Sequence, residues 1–194
     1  MSLSPERKGR LTASVFAAAI GLNPYMSRQK LFRQLEGIDA PFQGNEMTQW
    51  GNDHEQDAVD AYESEFGVIL SNAGNDQKFI ICSDNDWIGC TPDGFNGDIV
   101  TEFKCPYSMN LYPDIPAYYM PQIQGQLGIT KHKLSHFACW TPESLGVWEV
   151  EFNQEYWEYE LALLNDFYIQ WKNKEQPARA KKPVMPQINI NRIY

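Results

Sequence analysis

Hydrophobic and polar positions along the chain switch between a helical period and a period of two. "RLTASVFAAAIGLNPY" predicts a helix over residues 10–25, with Thr12 or Ser14 as its cap and Gly21 and Pro24 at its end. "SRQKLFRQLEGI" predicts a second helix, with Leu31, Phe32 and Leu35 on one side and Gly37 as its stop. "APFQGNEM" reads as a loop. "MTQWGNDHEQDAVDAYESEFGV" predicts one continuous amphipathic helix: Ala58, Val59, Tyr62 and Phe66 recur at helical spacing, the other face is acidic, and Gly67 closes it. The period then changes. "QKFIICS", "WIGCT" and "DIVTEFKC" predict short strands joined by Asp, Asn and Gly turns. "YYMPQIQGQLGI" predicts a helix with its proline in the first turn, where proline is tolerated. "KLSHFACWT" and "LGVWEVEF" predict two more strands, and "NQEYWEYELALLNDFYIQWKNK" a long amphipathic helix capped by Asn153. The order helices, strands, helix, strands, helix predicts a mixed α/β fold with a central sheet flanked by helices, not the regular alternation of a doubly wound sheet.

At 194 residues the chain is long enough for one domain with a sizeable core, and residues 1–194 are taken as that domain, with an extended, proline-punctuated tail over 183–194. No run approaches the roughly 20 apolar residues that span a bilayer. "MSLSPERKGR" lacks the apolar centre of a secretory signal. The expectation is a soluble, cytoplasmic protein with no membrane partner. Cys82, Cys90, Cys105 and Cys139 form no CxxC pair and no ferredoxin-type cluster, so four free, mostly buried thiols are expected. The formal net charge of −9 argues against a protein that coats nucleic acid, since phosphate binding needs positive charge. It leaves room for an enzyme with an acidic site and a local basic patch. Two such patches exist, "ERKGR" at 6–10 and "KNKEQPARAKK" at 172–182; the second also reads as a solvated helix end and tail.

The chemistry concentrates in "CTPDGFNGDIVTEFKCP", residues 90–106. In a strand, Glu102 and Lys104 share one face and Phe103 takes the other. Asp93 lies in the turn before that strand, and a hairpin can return it beside Glu102. Two hard carboxylates on one side of a sheet make half of a divalent-metal site suited to Mg²⁺. The Phe103 backbone carbonyl can add a ligand. A lysine beside them can orient or help deprotonate an attacking water, or stabilise phosphate charge. Acid-x-Lys alone is common on surface hairpins; the full "TPDG…TEFKCP" spacing is less so.

Asp93, Glu102 and Lys104 fit the PD-(D/E)xK nuclease pattern, and "TPDGF" with "EFKCP" resembles the lambda exonuclease (YqaJ-type) viral recombinase branch. Three further segments resemble that family in the same order. "QWGNDHEQDAVDAYE" places Glu55 as the acid of the family's helix. "YMPQIQGQLGIT" places Gln122 as its active-site glutamine. "RKGRLTAS" places Arg7 and Ser14 where the family contacts a terminal phosphate.

The resemblance implies a restriction-endonuclease-like core and a Mg²⁺-dependent 5′-to-3′ exonuclease, with two metal ions per site and Mn²⁺ as a substitute. Glu55 joins Asp93 and Glu102 as catalytic acid and metal ligand, and Gln122 stands near Lys104 and the nucleophilic water. The partners implied are double-stranded DNA ends, a single-strand annealing protein and two further copies in a homotrimeric ring; the origin implied is phage or prophage. Alternatives on the same core are a restriction-type endonuclease, a RecB- or Cas4-like repair nuclease, and a non-catalytic DNA-end-binding protein. His54 is read as a helix-surface histidine. Met47, Trp50 and the "PFQGNEM" loop are candidates for the wedge that parts a duplex end.

Overall fold

The computed structural model describes residues 5–40, 43–179 and 181–194. In chain order its elements are β1 (Leu11–Thr12), α1 (Phe16–Ala19), α2 (Arg28–Leu35), α3 (Glu46–Asp53), α4 (Glu55–Phe66), β2 (Ile80–Ile81), β3 (Ile88–Cys90), β4 (Gly94–Asn96), β5 (Ile99–Lys104), α5 (Met120–Thr130), β6 (Leu134–Thr141), β7 (Ser144–Glu151), α6 (Gln154–Lys172) and β8 (Ile190–Arg192).

β5, rich in β-branched residues, sits inside a five-stranded mixed sheet of order β4-β5-β6-β7-β8. It pairs antiparallel with β4 through a tight hairpin and parallel with β6. The parallel pairing requires a crossover, which α5 supplies. A smaller sheet, β1-β3-β2, ties the N-terminal segment to the strand that leads into the Thr91-Pro92-Asp93 turn.

Side chains from one face of the large sheet (Val100, Phe137, Trp148) pack with Ile123 and Leu127 of α5. The other face (Phe103, Ala138, Val147) packs on Ala58, Val59 and Tyr62 of α4. α5 is buried almost along its whole length. Gly125 and Gly128 make this possible, since a Cβ at either would lie 2.6 Å from the Phe16 ring or 2.4 Å from the Trp157 ring.

Four local readings of the sequence change. The predicted helix over 10–25 keeps helical geometry only over a 3₁₀ turn (Ala13–Val15) and α1, because Leu11 donates to the Trp87 carbonyl and pairs with β3. Gly21, at φ +82°, then turns the chain. Thr12 and Ser14 bond each other at 3.1 Å and neither side chain caps a helix. The predicted helix over 47–68 breaks at His54 into α3 and α4. β4 and β8 were not legible as strands. Other expectations hold: Asn153 caps α6, Gly37 and Gly67 take positive φ, and all four cysteines are free thiols. Among the described residues no helix is long and apolar enough to cross a membrane.

Candidate active site

The β4–β5 hairpin brings Asp93 to β5 as its spacing predicts. The Asp93 N–H donates to the Thr101 carbonyl at 3.2 Å, and its carboxylate Oδ2 accepts from the Phe103 N–H at 2.7 Å. In an extended strand a residue's C=O points to the same edge as its N–H, so the Phe103 carbonyl faces the Asp93 edge. Its ring lies in the α4-side core.

Glu102 and Lys104 do share a face, and it is the face toward α5. Glu102 is 1% exposed. A buried carboxylate is tolerated only when its lone pairs are met. Three donors meet them: Oε1 accepts from the Lys104 ammonium and from Gln122 Nε2 at 2.5 Å, and Oε2 from Gln126 Nε2 at 2.6 Å. Gln122 and Gln126 are one helical turn apart on α5, so both amides reach the same carboxylate.

Glu55 is the first residue of α4, and the interruption of the helix at His54 puts it there. It enters through Gln77, whose Nε2 donates to Glu55 Oε1 at 2.9 Å and to the Asp93 carbonyl at 3.4 Å. Glu55, Phe103, Lys104 and Cys105 line a cavity of about 330 Å³, together with Tyr112, Tyr119 and residues of α3.

Electrostatics tie the group together. Burial holds the Asp93 carboxyl well above its ordinary value; Glu102 and Glu55 push the same way, while Lys104 and the Phe103 N–H oppose them. Burial works against the Lys104 ammonium, yet Glu102, Asp93 and Glu55 outweigh it and keep its pKa above the ordinary lysine value. The Tyr119 ring covers the same ammonium at 5.2 Å. Three carboxylates therefore face one cation, a hard-oxygen donor set with excess negative charge that suits a hard divalent ion. Among the described residues no three His, Cys, Asp or Glu side chains converge on a point that a metal could fill. Lys104 and Gln122 share Glu102 Oε1, so the carboxylates lie folded onto the protein's own donors.

Arg7 is held at the mouth of the Asp93 turn: its guanidinium donates to Thr91 Oγ1 at 2.6 Å and lies 5.4 Å from the Phe79 ring centre. Ser14 is exposed, and its hydroxyl bonds Thr12 and no catalytic candidate among the described residues. His54 is not a helix-surface residue but the hinge between α3 and α4. Its ring lies 3.9 Å from that of Trp50 and 5.4 Å from that of Trp140, its Nδ1 is 2.6 Å from Asp57, and its carbonyl accepts from the Cys105 thiol. Met47 lines the Lys104 cavity, whereas Trp50 lines a neighbouring cleft with Tyr107. Pro41 and Phe42 of the wedge-candidate loop lie outside the described residues.

Sequence reasoning missed Gln126, Gln77 and Tyr119. Gln126 had a readable signal, a glutamine one turn beyond Gln122 in an otherwise apolar stretch. Gln77 and Tyr119 had none.

The profile of the YqaJ-like viral recombinase domain matches residues 4–133, a stretch that includes every candidate residue. Among solved structures, an alkaline exonuclease (LHK-Exo) from Laribacter hongkongensis superposes with a TM-score of 0.70 at 22% identity, over 87% of this chain and 90% of that one. LHK-Exo in complex with dAMP gives 0.71 at the same identity and coverage. A phage related exonuclease from Haemophilus somnus 129PT gives 0.61 at 16% identity, over 85% of this chain and 96% of that one. At these identities the likeness is one of fold, and the fold is the mixed α/β core with a central sheet flanked by helices that the sequence predicts. No curated protein matches the sequence.

Proposed function

The chain belongs to the YqaJ-like viral recombinase domain family, and from that premise we propose that it is a Mg²⁺-dependent exonuclease that degrades one strand of linear duplex DNA from its 5′ end. The observation that carries this reading is the buried Glu102 carboxylate, shared by Lys104, Gln122 and Gln126 beside Asp93. So buried an acid, next to a second acid with a raised pKa, serves stability poorly; it suits a site that exchanges its internal donors for substrate and metal.

Asp93, Glu102, the Phe103 carbonyl and Glu55 would hold the divalent ions, which supply Lewis acidity toward the attacking and leaving oxygens. The protein's own residues do the rest. Lys104 stays protonated among its carboxylates, so it donates hydrogen bonds to the water or to a phosphate oxygen and neutralises charge there. Gln122, already on Glu102 Oε1, moves with that carboxylate and keeps the water's approach polar. Arg7, anchored by Thr91 next to the Asp93 turn, would take a terminal 5′-phosphate; a guanidinium meets phosphate oxygens bidentately. Ser14 joins it in this reading.

The family resemblance extends the reading to a homotrimeric ring on DNA ends, an annealing protein that receives the 3′ overhang, and a phage or prophage origin in a bacterial cytoplasm. The similarity in fold to a phage related exonuclease supports that origin.

The test is digestion of a linear duplex with a 5′-phosphate and a label on one strand, in Mg²⁺ or EDTA, by wild type and Lys104→Ala. Mg²⁺-dependent loss of the 5′ strand, intact closed circles and an inactive variant are expected. Cutting of circles would replace the exonuclease with an endonuclease. No cleavage with any divalent metal would favour an end-binding protein.

A further inference from the structure

The basic segment at 172–182 takes no part in the site described above, yet two of its cations return to the body of the molecule. Arg179 and Lys182 line an open cleft of about 440 Å³ whose opposite wall carries Arg28, Lys30 and Tyr25. Among the described residues no Asp or Glu lines this cleft, in a chain whose net charge is −9. Such segregation of charge creates a local positive field that favours phosphate against the acidic remainder.

The four cations are not equally engaged. Arg28 is 9% exposed; one of its NH groups donates to Asp166 at 2.7 Å, while its buried Nε has no partner among the described residues. Lys30 acts electrostatically on Asp39, which already pairs with Arg33. Arg179 and Lys182 have neither hydrogen bond nor ion pair among the described residues. A buried donor without an acceptor among the described residues and two exposed, unpaired cations on a facing segment make a surface that favours an added anion.

A chain of ring contacts links the cleft to the candidate active site. Tyr25 meets Tyr118 edge-on at 5.7 Å, Tyr118 lies 4.5 Å from Tyr119, and Tyr119 covers Lys104 at 5.2 Å. We infer that the cleft seats backbone phosphates of the duplex part of the DNA whose end lies at Lys104, an inference that rests on the nuclease reading. A duplex fits better than a single strand. Single-strand sites rely on successive exposed aromatic rings, and here Tyr118 and Tyr119 are packed on each other while only Tyr25 stands clear. What the cleft offers is charge, and duplex DNA carries about one negative charge per 1.7 Å of axis.

The experiment measures binding of a 5′-phosphorylated duplex in EDTA, by fluorescence anisotropy over a range of salt. It compares wild type, Arg179→Ala/Lys182→Ala, and a control with the same charge change outside the cleft, Lys174→Asn/Lys181→Ala. Asn suits position 174, where φ is +60°. The cleft variant is expected to bind about tenfold more weakly, with a salt slope smaller by about two, while the control follows wild type. Cleavage by wild type together with a cleft variant that binds like the control would overturn the cleft and leave the nuclease reading standing. No cleavage by wild type, with the cleft variant still weakened, would keep the cleft and sink the nuclease reading. A wild type that binds no duplex would overturn the cleft, and its cleavage of duplex in Mg²⁺ would leave the nuclease reading standing. Weakening confined to a single-stranded oligonucleotide would overturn the duplex assignment.

Discussion

Residues first: Asp93, Glu102 and Lys104 could be read from the sequence because a two-residue period and a Gly-containing turn leave little freedom in where they point. Burial of Glu102 could not be read, since it depends on α5 lying over that face of β5. Gln126 follows from it. A glutamine on the buried side of a helix is expensive unless it is bonded, and Nε2 is spent on Glu102 Oε2 while its Oε1 has no partner among the described residues. Gln126→Ala should release one oxygen of the carboxylate and let it drift. A hydrogen bond to a charged group contributes about 1.5–3 kcal/mol, so kcat should fall roughly 10- to 100-fold with KM for DNA little changed. The Mg²⁺ concentration for half-maximal rate should rise in parallel. Gln126→Glu should be worse, because it sets a second acid against Glu102. Steady-state digestion across DNA and Mg²⁺ concentrations checks both variants; an equal loss in KM alone would assign Gln126 to DNA binding instead.

Elements were legible where one face decides them and illegible where a distant contact does. The α3–α4 break shows the second case. Apolar spacing runs on through His54, whose N–H still bonds the Trp50 carbonyl and whose carbonyl still accepts from Ala58, but two tryptophans flank its ring and its φ of −109° leaves helical geometry, so Glu55 gains a first-turn position. α5 shows why two glycines survive inside a helix, where each costs about 1 kcal/mol against alanine. Gly128→Ala recovers that propensity but drives a Cβ to 2.4 Å from the Trp157 ring. Overpacking costs about 1–3 kcal/mol, so the net effect should be a Tm lower by a few degrees in thermal denaturation.

α6 carries a separate liability. Glu160 is fully buried, neither carboxyl oxygen has a partner among the described residues, and burial raises its pKa well above the ordinary value. A folded-state pKa above the unfolded one gives stability that is present below the ordinary carboxylate range and lost as pH climbs through the raised value. Glu160→Gln has no charge to bury. Its Tm advantage over wild type should therefore be small at about pH 5 and grow toward about pH 8. Tm curves that stay parallel across that range would mean the charged form is accommodated.

The molecule as a whole is closed by its C-terminus. The sequence marks "KPVMPQINI" as extended and stops there, because prolines and sparse apolar residues hide a strand that exists only by pairing. In the fold, β8 runs antiparallel to β7, with Trp148 opposite Arg192 and Val150 opposite Ile190. Asn189 and Tyr194 accept from the Glu151 and Val147 N–H groups, and the Arg192 guanidinium lies 5.2 Å from the Trp148 ring. Without this cover, the eight residues of β7 would form the sheet's open edge, and a long unpaired edge invites pairing with another chain. The candidate site sits two strands away, at β5 and the β4 hairpin. A chain ending at residue 188 should thus melt several degrees lower and scatter light on warming, while digesting DNA at near wild-type rates in the cold. It also keeps Arg179 and Lys182, so its affinity for duplex should be unchanged. If activity and affinity instead fell together with stability, the last six residues would do more than cover β7, and the sheet edge and the DNA path would have to be treated as one surface.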